Sequence, residues 1–421
     1  MDAVPEDRGI MPRLVTSFRL LALAAALAAM APEARAAGDL GFKIGEAGRL
    51  HLKLELAGQY DSNVFYSQSG APVAGYVLDV IPGLELQVAG NTASLELKGA
   101  LDVKQYLTQE AKDLSRVFGS ASLGAGVNRT GAVGLELTDT FAHSDQTPSL
   151  SVAQAVISNH NDLRLAVPLR PGGGALTLTL SGQWVKETFE TYVSAAGCDP
   201  ALNPTCIPGN IAAFGYNQYG GAAEVRWKFL PRTALVLDGN YFQRTPDDVA
   251  VSREVRGLRV NAGLAGLVTT RLAVTLKGGW GTAFDSPGFA YSTWLANVEV
   301  QYVTQGPVGA KIGYLHDFRA DPGSEYSVYA LHRVYLDGKI LLAGRFTLRA
   351  TLGWDSLEYV INGVTNNILS FVPAVDYEVM RWVYVGASYA LTSRSSGGLS
   401  GPVPAFDYTR HLVGLRAVFA Y

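Results

Sequence analysis

From His51 onward the chain alternates apolar and polar residues with period two, and it does so in segments far longer than an ordinary strand. His51-Leu52-Lys53-Leu54-Glu55-Leu56 sets the pattern, and Leu176-Thr177-Leu178-Thr179-Leu180 and Arg345-Phe346-Thr347-Leu348-Arg349 repeat it. Such alternation makes strands with one apolar and one polar face. Eighteen segments carry it, near 49–60, 75–89, 93–107, 114–128, 131–144, 156–168, 174–189, 214–229 and 232–244. The rest lie near 254–268, 270–284, 289–304, 307–320, 326–342, 344–360, 366–379, 381–395 and 405–421. Sixteen is the alternative count. The segments run roughly 14 residues, against the 5–6 usual in soluble proteins.

The connections alternate too. Short links such as Gly90-Asn91-Thr92, Arg129-Thr130 and Leu230-Pro231 follow the even segments. Longer loops, 61–74, 145–155, 190–213, 245–253 and 396–404, follow the odd ones. A soluble sandwich would have to bury the charges on the polar faces, which is costly unless every one is paired. A closed barrel in a membrane turns the apolar face to lipid and leaves no open strand edge. The expected fold is therefore all-β, a transmembrane antiparallel up-and-down β-barrel of about eighteen strands, with both termini and the short turns periplasmic. Aromatic residues near segment ends suit an interfacial girdle: Tyr60, Tyr106, Phe141, Trp184, Trp227, Tyr241, Trp294, Trp354 and Trp382.

Composition agrees with this. Only 17% of residues are charged, 46 of 421 are glycine, and mean hydropathy is slightly positive. After residue 36 no run of about 18 uncharged apolar residues exists to make a membrane helix. A net charge of −3 supplies no basic stripe for nucleic acid. Before residue 37 the pattern is different. Arg13 and Arg19 precede the apolar run Leu20–Ala31, and Ala34-Arg35-Ala36 offers a signal-peptidase site. Asp2, Glu6 and Asp7 do not suit such a leader, so translation is expected to start at Met11. Residues 1–36 then form an extension plus a cleaved signal peptide, and residues 37–421 a single outer-membrane barrel domain. The aromatic strand ending at Tyr421 resembles the insertion signal of outer-membrane barrels. It makes the chain an expected client of the barrel assembly machinery, resident among outer-membrane lipid and lipopolysaccharide.

The polar face should line the lumen with Lys53, Glu55, Glu96, Lys98, Arg226, Asp238, Arg259, Glu299, Lys311, Asp317, Arg333, Arg345 and Arg349. Mixed signs predict weak ion selectivity, and a mixed polar wall suits hydroxylated solutes. Cys198 and Cys206 share the longest loop, and passage through an oxidising compartment favours a disulfide between them. No catalytic machinery is expected. In His143-Ser144-Asp145 adjacent strand residues point to opposite faces and form no relay. The remaining histidines have no metal-ligand spacing, so no metal or cofactor is expected.

Two stretches go beyond barrel grammar. The first segment ends Tyr60-Asp61-Ser62-Asn63-Val64-Phe65, and Pro82-Gly83-Leu84 sits in the second. Asp61 and Asn63 can cap free backbone donors as Asx turns, and Pro82 interrupts a ladder. This combination resembles the beta-barrel porin-2 family of outer-membrane proteins, which includes members encoded with exopolysaccharide and capsule export systems. The resemblance implies a pore for a secreted or capsular polysaccharide, working with a periplasmic polysaccharide export protein. It implies no catalytic residues. The alternative reading is a general or nutrient-specific diffusion porin, and a third is a plugged structural or adhesion barrel.

Overall fold

The computed structural model describes residues 41–67, 72–90, 92–145, 156–191, 211–250, 252–286, 288–302, 307–321, 328–361, 363–397 and 407–421. The leader, Met11, Cys198 and Cys206 lie outside them. Nineteen strands are present among the described residues. They begin with β1 (Phe42–Ile44), β2 (Gly48–Asp61), β3 (Gly75–Ala89), β4 (Ala93–Tyr106), β5 (Arg116–Val127) and β6 (Leu135–Ser144). Next come β7 (Val156–Leu169), β8 (Leu176–Thr191), β9 (Tyr216–Leu230), β10 (Thr233–Pro246), β11 (Val255–Leu267), β12 (Leu272–Asp285) and β13 (Ala290–Tyr302). The last are β14 (Val308–Ala320), β15 (Val328–Leu342), β16 (Phe346–Tyr359), β17 (Thr365–Met380), β18 (Val383–Gly397) and β19 (Tyr408–Ala420).

Strands β2 to β19 are the eighteen expected from the alternation. Each pairs antiparallel with its sequence neighbours, and β19 pairs back onto β2, for example Val413↔Tyr60 and Phe419↔Leu54. The sheet is thus a closed barrel. Strand β1 was not anticipated, because three residues are too few to show a period. It covers the part of β2 that β19 is too short to reach, pairing Phe42↔Leu50 and Ile44↔Gly48. The rings of Phe42 and Tyr421 meet there at 5.0 Å, so both described chain ends share the short-turn end of the barrel. Closure matters because an unpaired ladder edge has no partner in hydrocarbon.

Tight turns close the short-turn end. Between β15 and β16, Ala343 and Gly344 both take left-handed backbone conformations, with φ of +49° and +72°. That turn also contains Arg345, assigned to the lumen by alternation. The strand begins only at Phe346, so Arg345 is an exposed turn residue rather than a wall residue. The proline effect is visible in β3. Its ladder to β4 lapses between Val80↔Val103 and Gly83↔Ala100, around Pro82, which has no amide proton to donate.

The outer face is a belt of exposed aliphatics, including Leu52, Leu54, Leu56, Leu78, Leu84, Leu237, Leu276, Ile312, Leu336 and Leu352. Aromatic residues rim both ends of it. Tyr60 packs on Tyr76, and Trp280 faces Trp294 in register, toward the long loops. Phe346 with Tyr377 and Trp382 with Phe419 mark the short-turn end. Tyr106 departs from the expected girdle. It points inward, 6% exposed, into a cluster with Val64, Val77, Ala111 and Leu114. The reason is its parity: Tyr106 shares the face of Glu96, Lys98 and Asp102 on β4, and a 3-10 helix at Gln109–Leu114 packs over it. Among the described residues no helix is long and apolar enough to cross a membrane; the crossing is made by strands.

Candidate functional site: the barrel lumen

With the aliphatic face outward, the opposite register positions line the lumen, and their charges meet in pairs. Lys53 Nζ lies 2.8 Å from Glu55 on β2, and Lys98 binds Glu96 and Glu85 across β3 and β4. Arg226 lies 3.3 Å from Glu224 on β9. Asp238 on β10 accepts from Lys277 at 2.6 Å and from the Asn261 amide at 2.9 Å. Arg333 on β15 makes a two-pronged bond to Asp355 on β16, at 2.7 Å for each contact. Arg349 on β16 and Arg416 on β19 both bind Asp376 of β17 at 2.8 Å. The sequence reading placed the arginines, lysines and most acids on this face but did not single out Lys277, Asp376 or Arg416. Their alternation phase was the available signal.

On the β13–β17 wall these charges converge on a recess of about 500 Å³. Glu299, Lys311, Arg333, Tyr335, Asp337, Thr351, Asp355 and Ser370 line it. Lys311 sits 3.4 Å from Asp337 and 3.9 Å from Glu299, while the Tyr335 hydroxyl donates to Glu299. The recess thus combines two cations, three carboxylates and hydroxyl groups within a volume typical of small-molecule sites. Most of these pairs are part-exposed, so each contributes only about 0–1 kcal/mol to stability. Their larger effect is on what can pass.

Toward the long loops the lumen narrows, through a device that alternation does not reveal. The β13–β14 ladder ends at Ala296↔His316, leaving Ala290–Leu295 unpaired with β14. By parity with Ile312, Phe318 belongs on the outer face. Instead it is fully buried against Phe242, Val255, Ala283, Leu295 and Val328. The end of β14 therefore turns inward. Its carbonyls at Phe318 and Ala320 accept from Arg259 Nη2 at 2.7 Å and Arg244 Nη1 at 2.8 Å. Arg259 also binds Asp317 at 2.8 Å and lies over the rings of Phe318 and Phe242, 4.3 and 4.9 Å from their centroids. Arg244 stacks on Tyr216 at 3.9 Å. Glycine at 281 leaves the space, since a Cβ there would meet the Phe318 ring at 2.5 Å. Arg259 and Asp317 were expected in the lumen. Arg244, Phe242, Phe318 and Tyr216 were not.

The Tyr60–Phe65 stretch proves to be a loop anchor. The Asn63 amide donates to Asp61 Oδ1 at 2.9 Å, and the Asn63 side chain clasps Ser67 through both its amide and its carbonyl. Asp61, 2% exposed, is gripped by Arg410 of β19, which also donates to the Tyr66 hydroxyl. In the His143-Ser144-Asp145 run, His143 Nδ1 bonds the Asn159 side-chain Oδ1 and Asp145 accepts from Lys104. These partners lead away from any relay.

No family model matches the chain, and no curated protein does. Among solved structures the barrel is similar to the outer membrane protein OpdK of Pseudomonas aeruginosa, with 13% identity, 88% of this chain and 99% of that chain covered, and a TM-score of 0.44. It is likewise similar to OccAB3 of Acinetobacter baumannii, at 11% identity, 90% and 100% coverage and a TM-score of 0.46. For the siderophore receptor PirA of Pseudomonas aeruginosa the values are 9%, 89%, 80% and 0.43. What the chain's own fold defines is a class. A closed barrel of eighteen strands, with an aliphatic belt and a charged interior, is an outer-membrane pore-type barrel.

Proposed function

We propose that this barrel is a diffusion pore for small polar solutes carrying both charge signs or several hydroxyl groups. In the membrane its short turns and both termini face the periplasm. The observation that carries this reading is the β13–β17 recess, where Lys311 and Arg333 stand beside Glu299, Asp337 and Asp355. Such a wall can bind an ammonium, a carboxylate or a hydroxyl by exchanging one partner of an existing pair. Its cost is low because the pairs are part-hydrated. The inward end of β14 and the packed loop anchors restrict the mouth, which favours a small solute over a polymer.

The polysaccharide-export reading drew on Tyr60–Asn63 and Pro82-Gly83. Those residues have local structural work in capping a loop and interrupting a ladder, which weakens them as marks of an export partner. Liposome swelling with purified protein separates the readings. Entry of amino acids and monosaccharides, with exclusion of long oligosaccharides, is the expected result. Absence of swelling, together with lost surface polysaccharide in a deletion strain, would overturn it in favour of export.

A further inference from the structure

Strand β13 ends in an edge that has no strand against it among the described residues. Ala290–Leu295 pair with β12 on one side, while on the other side β14 leaves them after Ala296↔His316. Continuing that register step by step gives Leu295↔Asp317, Trp294↔Phe318, Thr293↔Arg319 and Ser292↔Ala320. The residues suit those positions. Phe318 would join the exposed Trp294 on the outer face, beside the Trp280–Trp294 pair, where a barrel places its aromatic rings. Asp317 and Arg319 would point into the lumen, as polar residues of a wall strand do.

The inward position is held by a different set of contacts. The inner face of β13 rests on the side of β14 that alternation turns outward: Thr293 Oγ1 lies 3.1 Å from His316 Nε2, and Leu295 packs with Phe318. Gly281 keeps open the bay that receives the Phe318 ring. The carbonyls of Phe318 and Ala320 accept from Arg259 and Arg244 at 2.7 and 2.8 Å. These charge-assisted bonds stand in for the ladder bonds that β13 would supply. Both carbonyls therefore have a partner in either position. Strand β15 stays paired with β14 as far as Ala320↔Val328, and Val328 shares the Phe318 cluster, so the two strand ends move together.

We propose that the ends of β14 and β15 form a gate with two positions. In one they are tucked into the lumen; in the other β14 zips onto β13 in the continued register and the lumen widens. The packed bay and the ladder are mutually exclusive arrangements, which makes the element two-state rather than gradually deformable. The gate rests on the reading of the barrel as a pore.

The test is a disulfide between Thr293→Cys and Arg319→Cys, in a chain that also carries Cys198→Ser and Cys206→Ser. The two positions face each other, within disulfide reach, only in the zipped register. Oxidation of the folded barrel should form the bond, read by gel mobility, and fix a single-channel conductance above that of the reduced form. Gly281→Val, whose side chain fills the Phe318 bay, should raise conductance without a cross-link, and the wild type should step between a low and a high level. Should the cysteine variant fail to fold, the other two recordings decide: one fixed level shared by wild type and Gly281→Val overturns the gate. A folded cysteine variant that forms no disulfide overturns it too, as does a disulfide that leaves a conducting barrel unchanged. A cross-linked barrel that conducts neither oxidised nor reduced upholds the movement and overturns the pore reading, so the two failures are told apart.

Discussion

Removing the Asp61 side chain breaks two things at once: the acceptor for the Asn63 amide and the partner of Arg410. Because the carboxylate is buried, its loss leaves a desolvated guanidinium, a defect worth about 3–5 kcal/mol. Asp61→Ala should therefore lower stability by that order, read as a shift in the urea midpoint of the refolded barrel, while Ser62→Ala should have a much smaller effect. The same residues illustrate what short motifs encode. Tyr60-Asp61-Ser62-Asn63 announces an Asx turn by composition alone. That Asp61 would also meet Arg410, 349 positions away, follows only from the β19–β2 closure.

At the scale of single elements, β14 is the informative strand. Its lower half obeys the alternation, while its upper end parts from β13, stays paired with β15 and is held inward by two arginines and one aromatic cluster. Nothing local marks the departure, because His316-Asp317-Phe318 is an ordinary strand triplet. It is decided by Arg244 and Arg259 on β10 and β11, which supply donors for the carbonyls that β13 does not reach. Arg259→Ala removes the donor to Phe318, the bond to Asp317 and two ring contacts together. Single-channel conductance in a planar bilayer should rise. Unchanged conductance would mean that Phe318 packing, Arg244 and the β15 ladder hold the strand end without Arg259. A different locality effect explains β1 and the helix Gln109–Leu114, both too short to carry a period.

For the whole molecule, selectivity follows from the balance of paired charges around the lumen rather than from any one of them. Near-equal permeation of potassium and chloride is expected from the reversal potential in a salt gradient. Asp376 holds two arginines, so Asp376→Asn unbalances the wall by leaving both Arg349 and Arg416 without their carboxylate. That variant should shift the reversal potential toward anion preference, and the shift should shrink as ionic strength rises through screening.

Strand number, strand order and the inward or outward face of nearly every wall residue were determined by the sequence itself. The physical reason is that a two-residue period offers only two faces, and lipid accepts only the apolar one. Arg345 and Phe318 mark the limits of that rule, since a turn interrupts the count at the first and the inward end of β14 reverses the face of the second. Which charge meets which and where the end of β14 folds inward were decided by tertiary structure. Those outcomes depend on barrel closure and register, which bring β19 to β2 and the end of β14 to β10 and β11 across distances that alternation cannot encode.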